Sequence, residues 1–200
     1  VPNSRTLYSI SRSNQSLLNY ILSMKPEDTV ASVRQRYIES TAFSAVSSLL
    51  LGFGDRHNEN IMVSGDGCLL HIDFTYVLGS EPGGKAALVS SEPKLRLTTQ
   101  MCDALGGQDS AEFDAFKQTC TDLYGIAKRN AKSFYYLLYS LVPGNFTTET
   151  TIRSHLKSAL QPGQNDEEAK LVIEKKIHTA TSCRTVDTLL DTIHHWMKTS

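Results

Sequence analysis

Long apolar runs, paired cysteines and an excess of charge are all missing from this 200-residue sequence. No apolar run approaches the roughly 20 residues that span a bilayer, and residues 1–20 lack the basic start and apolar core of a signal peptide. The four cysteines lie far apart without a C-x-x-C pair, so neither a zinc site nor a disulfide framework is indicated. Reduced thiols and a cytoplasmic location are the simplest interpretation.

The balance of charge argues against a nucleic-acid partner. Twenty basic and 21 acidic residues leave a formal net charge of −1, so no global basic field would attract a phosphate backbone. The length and the 40% apolar composition suffice for one packed domain or for one lobe of a larger enzyme.

Residues 49–79 hold most of the side chains that could carry chemistry. The loop GFGDRHNENIM crowds Asp55, His57, Asn58 and Asn60 into six positions. Asp73 follows 13 residues after Asn60, at the end of an apolar run. The turn-forming SGDG separates two strand-like segments, IMV and CLLHIDF, which predicts a β-hairpin. The hairpin would return Asp73 to within side-chain reach of Asn60.

Phosphoryl transfer from a nucleotide needs this combination of groups. Magnesium takes hard oxygen ligands and only one or two carboxylates, which suits Asn60 and Asp73. Asp55 and His57 are left for the attacking hydroxyl, because an imidazole titrates near neutrality and can accept a proton. Arg56 could hold the loop or carry charge. Taken singly, a surface histidine or a strand-end aspartate would be unremarkable, but the conjunction favours a nucleotide-phosphate site.

The motif GDRHNENIM followed by HIDFTYVLG resembles the catalytic and activation segments of the phosphatidylinositol 3-/4-kinase superfamily. The stretches LTTQMCDALGG, DEEAKLVIEKKIH and VDTLLDTIHHWMK are similar to class III phosphatidylinositol 3-kinases, so the resemblance covers most of residues 30–198. It implies that His57 is the catalytic base with Asp55 as its partner in the loop, and that Asn60 and Asp73 bind magnesium.

The resemblance extends these assignments to a nucleotide site. Arg56 joins the catalytic group, and we place Met62 and Ile72 beside the two metal ligands in the set that binds ATP with Mg²⁺, or with Mn²⁺ in its place. The family usually has Gly where this chain has Thr75, and the missing glycine removes backbone freedom after Asp-Phe. This departure keeps a catalytically inactive scaffold open as an alternative.

The predicted fold class is α+β, mostly α, as in a protein-kinase-like C-terminal lobe over residues 1–200 with a catalytic hairpin and a helical part over 108–200. No Gly-rich phosphate loop and no strand lysine for the α- and β-phosphates occurs, so we expect an N-terminal lobe upstream in the parent protein. Apolar spacing and cap residues predict helices over 17–22, 26–37, 41–51, 110–132, 133–142, 147–160, 166–181 and 184–198.

Two further segments suggest lipid contacts. Residues 75–97 correspond to the activation loop, which in the family lies over the lipid headgroup, and Lys85, Lys94 and Arg96 are its basic residues. So few cations favour unphosphorylated phosphatidylinositol, although a disordered surface loop explains the composition equally well. In the terminal helix, Trp196 and Lys198 could dock on a membrane, and packing of the helix on the lobe is the alternative.

The resemblance implies a lipid kinase that transfers the ATP γ-phosphoryl group to the inositol ring of phosphatidylinositol, and its class III character implies the 3-hydroxyl. A phosphatidylinositol 4-kinase, a related protein kinase and the inactive scaffold remain alternatives. The resemblance also implies regulatory subunits and a peripheral position on endomembranes.

Overall fold

The structure, a computed structural model, describes residues 3–24, 27–81, 95–141, 147–163 and 165–182. Within these ranges the chain is mostly helical with one small sheet, which agrees with the predicted α+β, mostly α class. The strands are β1 (Arg5–Thr6), β2 (Ile61–Val63) and β3 (Leu69–His71). The helices are α1 (Leu7–Ser11), α2 (Leu17–Met24), α3 (Val30–Leu51), α4 (Thr99–Ala104), α5 (Ala111–Arg129), α6 (Ala131–Leu141), α7 (Glu149–Leu160) and α8 (Asp166–Ser182).

Helix α3 corrects the predicted pair of helices over 26–37 and 41–51. It is one helix of 22 residues, because Ile38, Glu39 and Ser40 include no glycine or proline that would break it. It also begins later than expected, since Thr29 is the N-cap and its hydroxyl accepts a hydrogen bond from the Ser32 amide at 3.1 Å. Gly52 ends the helix in the left-handed conformation, with φ of 59°.

The centre of the core is α3, which packs against α5, α7 and β3. Its buried residues include Tyr37 and Leu49, and Phe116 of α5 is also fully buried. The small residues Ala42 and Ala45 have almost no exposed surface, as expected for a helix that has neighbours on several sides. This packing gives the loop that follows Gly52 a rigid support.

The predicted hairpin is present, and a third strand extends it. Antiparallel pairing joins Ile61 to His71 and Val63 to Leu69, so β3 is shorter than the predicted strand over 68–74. Strand β1 pairs with β2 on the other side, giving the order β1-β2-β3. The sequence analysis missed β1, because two residues carry no periodic signal.

The later helices agree with the expectation to within a few residues. Ser110 caps α5 through its hydroxyl, which accepts from the Phe113 amide at 3.0 Å, and Asn130 separates α5 from α6 slightly earlier than predicted. Helices α7 and α8 match the predicted ranges 147–160 and 166–181 closely. The predicted helix over 184–198 lies outside the described residues. Among the helices that the structure describes, none is long and apolar enough to cross a membrane.

Candidate active site

The polar loop after α3 lies beside the chain that follows Asp73. The Leu78 amide donates to the Leu51 carbonyl at 2.7 Å, and the Gly54 amide donates to the Tyr76 carbonyl at 2.9 Å. A Cβ at Gly54 would lie 2.0 Å from the Ser80 carbonyl oxygen, so a larger residue would push these two segments apart. The entry to the predicted catalytic loop is therefore tied to the start of the predicted activation loop.

Asn60 closes the loop from within. Its side chain is buried, and its amide nitrogen donates to the Asp55 carbonyl at 2.9 Å. The Ile72 amide donates to the Asn60 carbonyl at 3.1 Å, which places Asp73 one residue beyond this link. The predicted approach of Asp73 to the Asn60 end of the loop is thus confirmed at the level of the backbone.

His57 and Asp55 lie side by side in the loop. The His57 Nε2 atom is 3.8 Å from an Asp55 carboxylate oxygen. The Glu59 amide donates to Nδ1 at 3.2 Å, and the Asn60 amide nitrogen lies 3.2 Å from Nε2. Since the Glu59 amide donates to Nδ1, that nitrogen accepts and carries no proton, which is the neutral form of the ring. Neutral imidazole is the form that can accept a proton.

Asp73 is exposed at the mouth of the site, and its φ of 57° lies in the left-handed region. Its Oδ1 atom accepts from the Thr75 hydroxyl at 2.6 Å and from the Thr75 amide at 3.1 Å. These two hydrogen bonds, with the hydroxyl contributing most, hold the pKa of Asp73 below its usual range. The carboxylate is therefore ionised at neutral pH and able to attract a cation.

Arg56 joins the loop to the end of β3. Its guanidinium donates to the carbonyls of Gly54 and Ile72, each at 2.7 Å, and to the carbonyl of Asp73. Burial lowers the pKa of Arg56, while Asp55, Asp73 and Glu81 oppose that effect. The side chain also lies near the rings of Phe53 and Phe74. It acts as a structural tie in this geometry, with its donors directed at backbone oxygens.

The protein supplies only part of the oxygen ligands that a small hard cation needs. Among the described residues, no group of three or more His, Cys, Asp or Glu side chains could hold a metal ion. Asn60 and Asp73 instead offer one amide oxygen and one exposed carboxylate, joined through the backbone link at Ile72. This sparse oxygen set fits magnesium, which retains several waters and shares phosphate oxygens with a nucleotide.

Of the remaining predicted site residues, the structure describes three: Met62, Ile72 and Arg96. Met62 is half-buried at the centre of β2, and Ile72 follows β3 directly before Asp73. Arg96 is half-buried close to His71, where its charge helps to lower the pKa of that ring to about 4; burial is the main cause, followed by Arg56. Four predicted lipid contacts lie outside the described residues: Lys85, Lys94, Trp196 and Lys198.

His155, which no sequence motif marks as functional, supports the loop from below. It is buried on α7, and its Nε2 donates to the Leu50 carbonyl at 3.0 Å. A Cβ at Gly52 would lie 2.4 Å from the His155 ring, so the glycine allows this close approach. A single histidine on an amphipathic helix gives no sequence signal for such a contact.

The N-terminal segment is a second support that sequence alone did not indicate. The Tyr8 amide of α1 donates to the Asn58 carbonyl at 3.1 Å. Together with the pairing of β1 and β2, this contact places residues 5–11 against the back of the loop.

An apolar groove lies elsewhere on the described part of the chain. It measures about 480 Å³ and lies between α3, α5 and α6, where Phe43, Leu50, Ile126 and Leu137 are among its lining residues. None of the predicted site residues lines it. The predicted catalytic residues therefore lie outside this groove.

Comparison with known proteins agrees with this geometry. Residues 4–148 match the family model described as phosphatidylinositol 3- and 4-kinase. The chain is 27% identical over 204 residues to the root isoform of phosphatidylinositol 3-kinase from Glycine max, covering 96% of this chain and 24% of the relative.

Two other relatives show the same pattern. Phosphatidylinositol 3-kinase VPS34 of Arabidopsis thaliana is 26% identical over 202 residues, with 96% of this chain and 24% of the relative covered. Phosphatidylinositol 3-kinase 2 of Dictyostelium discoideum is 32% identical over 186 residues, with 91% and 10% covered. The chain thus spans a quarter or less of the length of these relatives. Because the family model covers well over half of the chain, including the loop and the hairpin, the chain belongs to the phosphatidylinositol 3- and 4-kinase family.

Proposed function

We propose that this chain is the C-terminal lobe of a lipid kinase that transfers the γ-phosphoryl group of ATP to the 3-hydroxyl of phosphatidylinositol. Family membership supports a phosphotransferase, and relatives named phosphatidylinositol 3-kinase support the choice of lipid and hydroxyl. The observation that carries the proposal is the backbone link between Ile72 and Asn60. It brings the predicted metal ligands to the same end of the hairpin as the Asp55–His57 pair.

Asn60 and Asp73 would hold the divalent cation, Mg²⁺ or Mn²⁺, that neutralises charge on the phosphate oxygens when it is bound. The Asn60 amide nitrogen donates to the Asp55 carbonyl, so the side-chain oxygen of Asn60 is the atom that would bind the metal. Asp73 supplies the negative charge from an exposed position. Met62 and Ile72 would contribute apolar surface to the nucleotide, and an N-terminal lobe would complete its site.

Asp55 and His57 would take the proton of the attacking inositol hydroxyl. His57 in its neutral form can accept at one ring nitrogen, and the adjacent carboxylate would stabilise the imidazolium that results. Arg56 holds the loop and Asp73 in register through backbone carbonyls, so its contribution is to positioning.

Substrate range and location follow from the basic residues of 75–97 and from the terminal segment. With Lys85, Lys94 and Arg96 as the cations available for a headgroup, phosphatidylinositol without added phosphates is the preferred substrate. Trp196 and Lys198 would contact the lipid surface, consistent with a peripheral position on endomembranes and with regulatory subunits that control access to it.

A lipid panel tests this proposal. The full-length parent protein that contains this chain is incubated with Mg²⁺, ATP and vesicles that carry phosphatidylinositol, its 4-phosphate or its 4,5-bisphosphate. The position of the new phosphate is determined by chromatography of the deacylated product. We expect phosphatidylinositol to be the best substrate and the 3-phosphate to be the product. Preference for the bisphosphate, or a 4-phosphate product, would contradict the proposal.

Asp73→Asn is the companion variant. It keeps the shape of the side chain and removes the charge that the cation needs, so activity should be abolished while the melting temperature is unchanged. Asp109→Asn makes the same chemical change at an exposed position outside the site and should leave activity intact. An active, magnesium-dependent Asp73→Asn protein would refute the metal assignment.

A further inference from the structure

Thr75 makes the closest side-chain contact with the carboxylate of Asp73. Both of its donors, the hydroxyl at 2.6 Å and the backbone amide at 3.1 Å, are directed at the same oxygen, Oδ1. No hydrogen bond from another described side chain to this carboxylate is found. The orientation of Asp73 therefore depends on Thr75, although Thr75 stands where glycine is usual in the resembling family.

We propose that Thr75 is a positioning residue whose hydroxyl holds Oδ1 of Asp73, so that Oδ2 is presented to the divalent cation. This inference rests on the proposed function, because it takes Asp73 as a metal ligand. A glycine at this position could donate only its backbone amide and would leave the chain after Phe74 freer to move. The threonine thus restricts the backbone more than a glycine would, and it adds a second hydrogen-bond donor to Asp73.

Such a contact matters because Asp73 is exposed. An exposed carboxylate samples several rotamers, and the cost of fixing one of them lowers its affinity for a cation. Hydrogen bonds to a ligating carboxylate orient it, and their loss typically reduces metal affinity by about 10- to 100-fold. Magnesium is bound through one or two carboxylates in near-octahedral geometry, so occupation of Oδ1 by Thr75 leaves Oδ2 available as a ligand.

Three substitutions separate the hydroxyl from the rest of the side chain. Thr75→Ser keeps the hydroxyl, Thr75→Val keeps the branched shape without it, and Asp73→Asn removes the charge. Thr179→Val is the matched control, since the Thr179 hydroxyl also donates a single hydrogen bond, to the Lys175 carbonyl, on the exposed side of α8. Thr75 is itself exposed, so its substitution does not open the core.

Binding of Mn²⁺ alone, followed by the electron paramagnetic resonance signal of the free ion, gives a readout that does not depend on lipid phosphorylation. We expect Thr75→Val to raise the dissociation constant by about 10-fold or more, while Thr75→Ser and Thr179→Val stay within about threefold of the unmodified protein. In the lipid assay, Thr75→Val should raise the Mg²⁺ concentration for half-maximal rate by a similar factor. The rate at saturating Mg²⁺ should change little.

The outcomes distinguish this inference from the function on which it rests. If Asp73→Asn weakens Mn²⁺ binding but Thr75→Val does not, the role of Thr75 is overturned and the metal assignment stands. Failure of Thr75→Ser to retain affinity would likewise overturn a role for the hydroxyl. If Asp73→Asn binds Mn²⁺ as well as the unmodified protein, the metal assignment is wrong and the role of Thr75 falls with it.

Discussion

The guanidinium of Arg56 donates a hydrogen bond to the backbone carbonyl of Asp73, so a loop residue holds the main chain of the predicted metal ligand. The same side chain donates to the carbonyls of Gly54 and Ile72. Three carbonyls from two segments are thereby satisfied by one planar group. A lysine ammonium has no such fork of donors in one plane.

Arg56→Lys should therefore lower kcat/KM for phosphatidylinositol by about 100-fold, because misplacement of reacting groups by even 1 Å has effects of that size. The measurement is initial-rate lipid phosphorylation at several phosphatidylinositol concentrations. Arg153→Lys is the control, since Arg153 forms an exposed ion pair with Glu149 on α7. Activity of Arg56→Lys within about threefold of the unmodified protein would show that the tie is dispensable.

His57→Ala should reduce turnover by about 10² to 10⁴, the usual contribution of general acid–base catalysis, with little change in nucleotide affinity. The acid limb of the pH–rate profile should also change, because the group that must be deprotonated is gone. His178→Ala, which removes an exposed imidazole from α8, should alter neither quantity. Should turnover and the pH profile both persist, Asp55 becomes the proton acceptor and His57 is structural.

His155 offers a test of support from below the loop. His155→Leu leaves the Leu50 carbonyl without its side-chain donor, which should cost about 1–3 kcal/mol in the free energy of unfolding. Lipid phosphorylation should fall as well, because α7 no longer anchors the base of the loop. Denaturant unfolding and kinase assays on the same preparation measure both effects.

His155→Gln is the matched variant, since its amide can still donate to the Leu50 carbonyl. It should recover part of the stability and of the activity. Equal stability of His155→Leu and the unmodified protein would mean that the hydrogen bond at Leu50 has no net energetic value.

Stability should fall on mild acidification. Burial, with the nearby charges of Arg56 and Arg96, lowers the pKa of His71 from 6.5 to about 4 in the folded protein. Between these values the unfolded chain binds a proton that the folded chain does not, so protonation favours unfolding. Burial lowers the pKa of His155 too, which acts in the same direction.

We expect the free energy of unfolding at pH 5 to be roughly 2 kcal/mol lower than at pH 7.5 from the His71 contribution, since one pKa unit corresponds to about 1.4 kcal/mol. Urea unfolding at the two pH values measures this difference. In His71→Asn the difference should shrink, whereas in His178→Asn it should not, because His178 is exposed. An unchanged pH dependence in His71→Asn would show that other groups control acid stability.

The sequence alone predicted the elements whose contacts join residues close together in the chain. The SGDG turn and its flanking apolar residues predicted the hairpin, and a hairpin necessarily brings its two ends together, so the approach of Asp73 to Asn60 followed from short-range geometry. Cap residues such as Ser110 marked helix starts in the same way, because a cap bonds to an amide only three residues away. The prediction of two helices in place of α3 was wrong because the result depends on distant contacts. Packing against α5 and β3 stabilises the helix through residues 38–40, whose sequence pattern favours neither a helix nor a break.

Only packing decided which distant residues support the loop. His155 and Leu50 are 105 residues apart in sequence, and Tyr8 and Asn58 are 50 apart. No local sequence pattern therefore predicts either contact. Such contacts arise when distant elements pack together, and the His155 contact also depends on Gly52, which permits the close approach of the ring. The residue types in the loop indicate its chemistry, whereas the tertiary structure determines how rigidly that chemistry is held.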